Sequence, residues 1–439
     1  MNNKERLELA KWAIRYAQKN GATEATVSIT RSRSVEVEVR NQNIETIKES
    51  TENGLSLQIY RDHKFSEHNT NNFVKNDLER FISEAVEATK YLSPDKNNVI
   101  TDPSLYPTDL SLNLGLTDHN HASVTPEHRI RVAMETEDAA RQGHSAILTV
   151  TSGFSDNFSE SVRVHSNGFE GERTGTRFST GASVTIRDGQ ARPSGFFWAD
   201  TRFLNNLPKP AELATRAVDD AVRQLGQTKV ESGQYTMIVE NRLGGNMLRR
   251  LFQAMTARAV QQRSSFLIDM LEKPIGSEHL TITDHPLIIG GLASRLFDNE
   301  GIAARRRVMI DKGILKSYYI DNLYGRKLGL TPNGGSPSNV LIEAGLRSPQ
   351  QIIESMDKAI LVTSFLGGNA NPTTGDFSFG ISGQLIEKGK IVKPVNEMNI
   401  TGNTLELWKN LIETANDPFP FSSIQSPTMV FAKVGFSGL

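Results

Sequence analysis

A change of residue pattern near Tyr235 constrains the fold of this 439-residue chain more than any other feature. Before Tyr235, helical periodicity and strict apolar–polar alternation follow one another; after it, strand patterns separated by glycine-rich turns dominate and helical patterns are few. The regular strand–helix alternation of a parallel sheet is weak. We therefore predict an α+β protein, with antiparallel strands and flanking helices in its N-terminal part and mainly strands in its C-terminal part.

The same patterns divide the chain into four segments. We expect an N-terminal α+β unit at 1–92, a linker rich in proline and polar residues at 93–117, a middle antiparallel sheet with helices at 118–230, and a β-rich domain at 231–439. The periodicity predicts helices over 4–20, 76–91, 126–143, 210–225, 243–255, 348–358 and 404–414.

Composition excludes several functional classes. Lysine and arginine total 49 against 50 acidic residues, so the net charge of −1 does not favour nucleic acid as a partner. There is no cysteine, which rules out disulfides, cysteine-ligated zinc, iron–sulfur clusters and a cysteine nucleophile. No segment approaches the roughly 18 apolar residues of a membrane-spanning helix, and the charged N-terminus lacks the apolar core of a signal peptide. We expect a cytoplasmic protein that binds neither nucleic acid nor membrane.

Two groups of histidines are candidate metal ligands. His63 and His68, with Glu67, lie in a predicted loop or hairpin, where surface positions are the better interpretation. The segment Asp118-His119-Asn120-His121, with His128 nearby, is denser and could bind a transition metal weakly. A structural zinc site needs four closed ligands, so a polar loop is the preferred interpretation there too.

No common catalytic motif is present, and one basic run stands out. The chain has no GxSxG nucleophile elbow, no phosphate-binding P-loop and no GxGxxG after a strand. Arg305, Arg306 and Arg307 are too few to anchor nucleic acid alone. We interpret them as a solvated or ion-paired strand, with a grip on a carboxylate as the alternative.

The segment TGDFSFGISGQLIEKGKIVKPV, residues 374–395, predicts a hairpin. Phe377, Phe379 and Ile381 alternate before a turn at 387–390, and Gly380 permits close approach of another backbone. Two interpretations remain open: a hairpin buried in the core, or a sheet edge that accepts an extended peptide by strand addition.

The stretch LGGNMLRRLFQAM, residues 243–255, follows the strand-like YTMIVE and predicts a helix without His, Asp, Glu, Ser or Cys. Positions five apart differ by about 140° around a helix, so Arg250 should lie nearly opposite Met255. We expect Arg250 to face solvent or a local ion pair. The face toward the core should carry the apolar side chains Met247, Leu248, Leu251, Phe252 and Met255.

Longer segments carry a resemblance to a known family. In chain order they are SSFLIDMLEKPIG, TITDHPLIIGGLASRLFDNEGI, RRRVMIDKGILKSYYIDNLYGRKLGL, TTGDFSFGISGQLIEKGKIVKPVNEMNITGN and the final VGFSG. Together they resemble the TldD/PmbA family, also labelled modulator of DNA gyrase, over residues 21–438, and YIDNLYGRKLG is most similar to the PmbA (TldE) branch. The resemblance implies a C-terminal part built mainly of curved antiparallel sheet with few helices.

The resemblance also implies a function. TldD-like members are zinc metallopeptidases with an H-E-x-x-x-H helix and a distant cysteine; PmbA-like members lack these ligands and pair with TldD, in a complex that digests unfolded peptides and trims leader peptides. Aligned with that motif, this chain has Arg250, Leu251 and Met255. Arginine has no lone pair to offer and leucine cannot act as a base. We therefore expect no catalytic residues, no metal and no cofactor in this chain. Besides solvent or a local ion pair, the alternatives for Arg250 are the active site of the partner and a peptide terminus.

The leading hypothesis is a non-catalytic PmbA/TldE-like subunit of a cytoplasmic metallopeptidase complex, with a TldD-like zinc peptidase subunit and unfolded peptide as partners and a homodimer when the chain is produced alone. One alternative is a self-sufficient peptidase that uses the Asp118–His121 segment; another is a protein-binding regulator, such as a gyrase modulator, without proteolysis. The residues expected to contact peptide are Asn369, Asn371, Gly375, Asp376, Phe377, Ser378 and Gly380.

Overall fold

The structure, a computed structural model, describes residues 1–439. Six strands of the N-terminal half form one antiparallel sheet in the order β3-β2-β1-β4-β5-β6. Because β1 pairs with β4, strands from 1–92 and from 118–230 belong to the same sheet. These strands are β1 (Glu24–Arg40), β2 (Asn43–Arg61), β3 (Lys64–Thr70), β4 (Ile147–His165), β5 (Glu170–Ile186) and β6 (Ser194–Thr201).

Four helices cover one face of this sheet, and all begin within one residue of the predicted starts: α1 (Asn3–Lys19), α2 (Lys75–Thr89), α3 (Pro126–Arg141) and α4 (Pro210–Val222). The alternation in β1 explains the arrangement, since Val35, Val37 and Val39 are buried between charged neighbours. Helices α1 and α2 pack on one end of the apolar face, and α3 and α4 on the other. No helix is long and apolar enough to cross a membrane.

The C-terminal half contains eleven strands and five short helices. The strands are β7 (Gly233–Val239), β8 (Ile282–Asp284), β9 (Arg307–Asp311), β10 (Ile314–Leu315), β11 (Val340–Ile342), β12 (Lys358–Ala370), β13 (Asp376–Glu387), β14 (Lys390–Asn403), β15 (Leu411–Thr414), β16 (Ile424–Gln425) and β17 (Met429–Ser437). The helices are α5 (Gly244–Ala254), α6 (Ala257–Gln261), α7 (Asn322–Leu328), α8 (Pro349–Glu354) and α9 (Thr404–Lys409).

A small barrel organises this half. The larger sheet has the order β14-β13-β12-β7-β17-β15, and β14 also pairs with β17, which closes β7, β12, β13, β14 and β17 into a barrel. The smaller sheet has the order β10-β9-β8-β11-β16. Most pairs are antiparallel; β7 with β12 and β11 with β16 are parallel. The predicted α+β class, with a strand-dominated and curved C-terminal part, is confirmed.

Two predicted helices are shorter than expected because strand pairing takes over. Helix α8 ends at Glu354, and the chain then enters β12 at Lys358. Helix α9 ends at Lys409, and Leu411 pairs with Phe431 of β17. Helical periodicity continued past both ends, but tertiary pairing outweighs such a weak local preference.

The Asp118–His121 segment is structural, and its two histidines diverge. His119 is exposed, whereas His121 is buried with its Nε2 2.7 Å from Asp156 Oδ1. Arg129 Nε donates to the other oxygen of Asp156 at 2.5 Å. The carboxylate of Asp118 accepts a hydrogen bond from the backbone N–H of Leu204 and so holds the loop in place. The arrangement ties the end of the linker and α3 to β4, and it does not bring a metal-ligand set together.

We expect Asp156→Asn to lower the free energy of unfolding by about 3–5 kcal/mol, because Arg129 is then left buried without its counter-charge. Burial alone would raise the pKa of Asp156, but hydrogen bonds from His121 and Arg129 outweigh it and hold the pKa below its usual 3.8. The contribution is therefore present above pH 3.8 and is lost as the pH falls through the lower folded-state value. Urea unfolding followed by tryptophan fluorescence measures both effects.

The matched control is His119→Ala, which removes an exposed neighbour and should change stability by no more than about 0.5 kcal/mol. Equal stability of Asp156→Asn and the unmodified chain at neutral pH would contradict a structural role for this ion pair.

Candidate functional site

Helix α5 starts where the barrel strand β7 ends, after a short turn at Asn241–Leu243. Its first glycine is required by space, because a Cβ on Gly244 would lie 2.0 Å from the hydroxyl oxygen of Ser426. Gly245 has no such neighbour, since the nearest atom would be 3.9 Å away. Gly244 therefore lets the helix pack closely on the segment that precedes β17.

The apolar face of α5 is core. Leu251 and Met255 have no exposed surface, and Leu248 and Phe252 are buried beside them. They belong to a cluster of 38 buried residues that includes the barrel interior. Met255 follows the last helical residue, and its N–H still donates to the carbonyl of Leu251 at 3.0 Å.

The positions aligned with the metal motif do not fit a zinc ion. Zinc takes nitrogen, sulfur or oxygen donors. Leu251 has none, Arg250 has no lone pair, and the thioether of Met255 is enclosed in hydrocarbon. No group of three or more His, Asp or Glu side chains anywhere in the structure is arranged to hold a metal ion.

Arg250 lies on the other side of α5, as expected, and is partly exposed, but it stacks on an aromatic ring and makes no ion pair. Its guanidinium carbon is 3.6 Å from the centre of the Phe379 ring, and no carboxylate faces it. Burial lowers the pKa of Arg250 from its usual value. The side chain remains a cation, because arginine is not deprotonated in proteins. Contact with an aromatic face favours such a weakly hydrated cation.

The stacked pair of Arg250 and Phe379 borders a half-open cavity of about 520 Å³ between α5, β12 and β13. Helix α5 contributes polar side chains, and the strands contribute aromatic rings and glycines. The lining residues include Asn246, Arg249, Gln253, Phe365, Gly367, Gly368, Asn369, Phe377 and Trp408.

Only two of the predicted peptide contacts line this cavity, namely Asn369 and Phe377. Ser378 is exposed and Gly380 half-buried, one residue out of phase with Phe377 and Phe379 along β13. The aromatic lining was partly visible in the alternation of the sequence, whereas Phe365, Trp408 and Arg250 reach the cavity only through the fold.

The other predicted contacts build the turn that joins β12 to β13. Asn371 Oδ1 accepts from the N–H of Thr373, and Gly375 has a φ of +84°, which favours glycine. The carboxylate of Asp376 accepts from Asn403 and Thr374, and these hydrogen bonds lower its pKa.

The strand at 375–380 is not a sheet edge, so strand addition there is wrong. Ser378 is paired with Asn369 of β12 on one side and Thr401 of β14 on the other. With both neighbours present, the backbone of β13 has no groups left for a peptide.

A free edge exists one strand away, on β12. Strand β7 pairs with β12 only from Ala359 to Val362, and the chain then turns away into α5. Residues 364–370 pair with β13 alone, and 366–370 are exposed. Five residues of this stretch line the cavity: Phe365, Gly367, Gly368, Asn369 and Ala370. An extended chain could add to this edge while contacting α5.

The remaining sequence candidates lie elsewhere. His63 sits in the turn between β2 and β3, and the ring of His68 packs edge-on to Phe81. Arg307 pairs with Asp284 at 3.0 Å, which agrees with the ion-paired interpretation, while Arg305 and Arg306 are exposed. None of these residues lines the cavity.

Introducing residues of the metal motif at positions 250 and 251 tests whether the packing around α5 tolerates them. We expect Leu251→Glu to lower stability by about 3–5 kcal/mol, because it places an unpaired carboxyl group in the core. Arg250→His, on the cavity side, should fold normally. Midpoints of thermal unfolding compare the two variants, and a Leu251→Glu protein as stable as Arg250→His would contradict the core assignment.

Comparison with known proteins assigns the family. Residues 232–438 match the PmbA/TldA metallopeptidase C-terminal domain, residues 119–225 the central domain, and residues 25–89 domain 1 of the same family. The metalloprotease PmbA of Escherichia coli O157:H7 is 26% identical over 417 residues, covering 94% of this chain and 92% of that protein. A PmbA homologue of Haemophilus influenzae is 27% identical over 97% of this chain and 95% of its own length.

Solved structures agree. A crystal structure from Bacteroides thetaiotaomicron, described as a modulator of DNA gyrase, is 40% identical, with a TM-score of 0.97 and 100% coverage of both chains. TldE from Thermococcus kodakarensis has the same fold, with a TM-score of 0.86 at 21% identity over 98% of this chain and 100% of that one. This chain belongs to the PmbA/TldD metallopeptidase family and is a PmbA-like member of it.

Proposed function

We propose that this chain is the non-catalytic subunit of a cytoplasmic two-subunit peptidase, and that its partner is a TldD-like zinc peptidase that degrades or trims unfolded peptides. The observation that supports the proposal is the set of residues at the motif positions of α5. Its motif positions are occupied by the core residues Leu251 and Met255 and by Arg250 stacked on Phe379, so they do not suit a metal. The family membership supports the peptidase context.

In this proposal the chain holds substrate rather than cleaving it. An unfolded peptide lies along the free edge of β12 at 364–370 and beside α5. Main-chain hydrogen bonds of this kind give affinity with little dependence on sequence, as suits varied unfolded peptides. The zinc ion of the partner supplies the activated water for hydrolysis.

The proposal predicts that zinc binding and peptide cleavage belong to the partner and not to this chain. Co-expressed with a TldD-like protein of the same organism, this chain should purify as a heterodimer that cleaves an unfolded peptide and holds zinc in the partner. Produced alone, it should form at most homodimers, bind no stoichiometric zinc and leave the peptide intact. Size-exclusion chromatography, metal analysis and mass spectrometry of the peptide measure these outcomes.

The same experiment separates the alternatives. Tightly bound zinc together with cleavage by the isolated chain would identify a self-sufficient peptidase and overturn the proposal. A pull-down from native lysate that returns topoisomerase subunits and no TldD-like protein would identify a regulator instead.

The proposal also predicts that peptide binding protects the backbone of the free edge of β12. Backbone amides that point away from β13 within 364–370 lack a protein partner, so they should exchange with deuterium quickly in the free chain. An unfolded peptide should slow their exchange on binding. Amides of β13 form the matched control, because both neighbours already pair with them and their exchange should be slow throughout. Mass spectrometry after proteolysis resolves the two segments.

Protection confined to another part of the chain, with none at 364–370, would show that peptide binds elsewhere.

A further inference from the structure

Two arginines face the cavity without a counter-charge. Arg249 and Arg250 both line it, and no aspartate or glutamate does. Other arginines of the C-terminal half have carboxylate partners, as Arg307 has Asp284 and Arg347 has Glu413. A cavity with two cations and no carboxylate favours an anionic ligand.

The polar groups form one row along α5. Asn246 and Gln253 each lie three or four residues from Arg249 and Arg250, which places the four side chains on one side of the helix over two turns. Guanidinium groups bind carboxylates through two parallel N–H donors, and the flanking amides can supply further donors.

Opposite this row the cavity is aromatic. The rings of Phe377 and Phe379 are stacked 5.2 Å apart, and Phe365 meets Phe379 edge-on at 6.0 Å. The buried Trp408 also borders the space. A volume of about 520 Å³ is large enough for a bulky side chain as well as an anionic group.

We propose that this cavity binds the C-terminal carboxylate of a peptide, with Arg250 and Arg249 on the carboxylate and the aromatic rings on an apolar last side chain. The inference deepens the proposed function, since it names which end of the peptide lies here. The preceding residues of the ligand extend along the open edge of β12 at 364–370, which borders the same cavity. A free phosphate or other small anion would leave the aromatic side unused.

The test compares two peptides that differ in one charge. A short unfolded peptide ending in Phe, labelled at its N-terminus, is prepared as the free acid and as the C-terminal amide. Fluorescence anisotropy with the isolated full-length chain should give at least tenfold tighter binding of the acid. Arg250→Gln should weaken acid binding several-fold, and Arg249→Gln together with Arg250→Gln should remove the preference for the acid over the amide. A peptide acid ending in Gly should bind more weakly than the one ending in Phe.

Two variants control for folding and for general charge. Arg250→Lys keeps the cation but not the two-pronged donor geometry, so it should retain part of the preference for the acid. Arg306→Gln removes an exposed arginine outside the cavity and should leave the preference intact. Thermal unfolding midpoints confirm that each variant is folded.

Equal binding of acid and amide by the folded chain would overturn the inference, as would a preference that persists when both Arg249→Gln and Arg250→Gln are present. The first of these results is expected if the arginines instead meet an acidic side chain of a partner subunit. These outcomes do not depend on the partner or on zinc, so they separate failure of this inference from failure of the subunit role.

Discussion

The point at which β7 ends determines both the packing of α5 and the free edge of β12 in the C-terminal half. After Val239 the chain leaves the barrel and turns into α5, whose apolar side chains are buried with the barrel interior in one large core. Burying that face is favourable by about 25 cal/mol per Å² of apolar surface, and it holds the helix against the end of the barrel. The same departure removes the partner that the outer part of β12 would otherwise have. One packing requirement thus produces both a closed core and an open strand edge.

The same packing explains why α5 offers no ligands to a metal. A metal site needs polar donors on the side of the helix that faces the substrate space. In this chain, two of the three motif positions point into hydrocarbon, and the third is an arginine held on an aromatic ring. What remains on the open side is positive charge and hydrogen-bond donors, supplied by Asn246, Arg249, Arg250 and Gln253.

Several features could be read from the sequence because they depend on near neighbours. The apolar stripe of α5, the alternation of β1 and the starts of α1 to α4 all follow from local periodicity. The alternation of Phe377 and Phe379 correctly indicated a strand with one aromatic face. The neighbours of that strand could not be read in this way, because alternation is the same for an edge and for a central strand that faces a core. The sequence therefore left both interpretations of this hairpin open, whereas in the structure β13 is paired on both sides and the free edge lies on β12.

The Asp118–His121 segment illustrates the same limit for side chains. Closeness in sequence left a shared metal site as the alternative to a polar loop, and in the structure His119 is exposed whereas His121 pairs with Asp156 of β4. The sequence by itself determined the α+β class, the family and the presence of Arg250, Leu251 and Met255 at the aligned positions, since each is a property of residue types in order. Only the tertiary structure decided where the free edge lies and that Arg250 stands over Phe379, because both depend on contacts between residues more than a hundred positions apart.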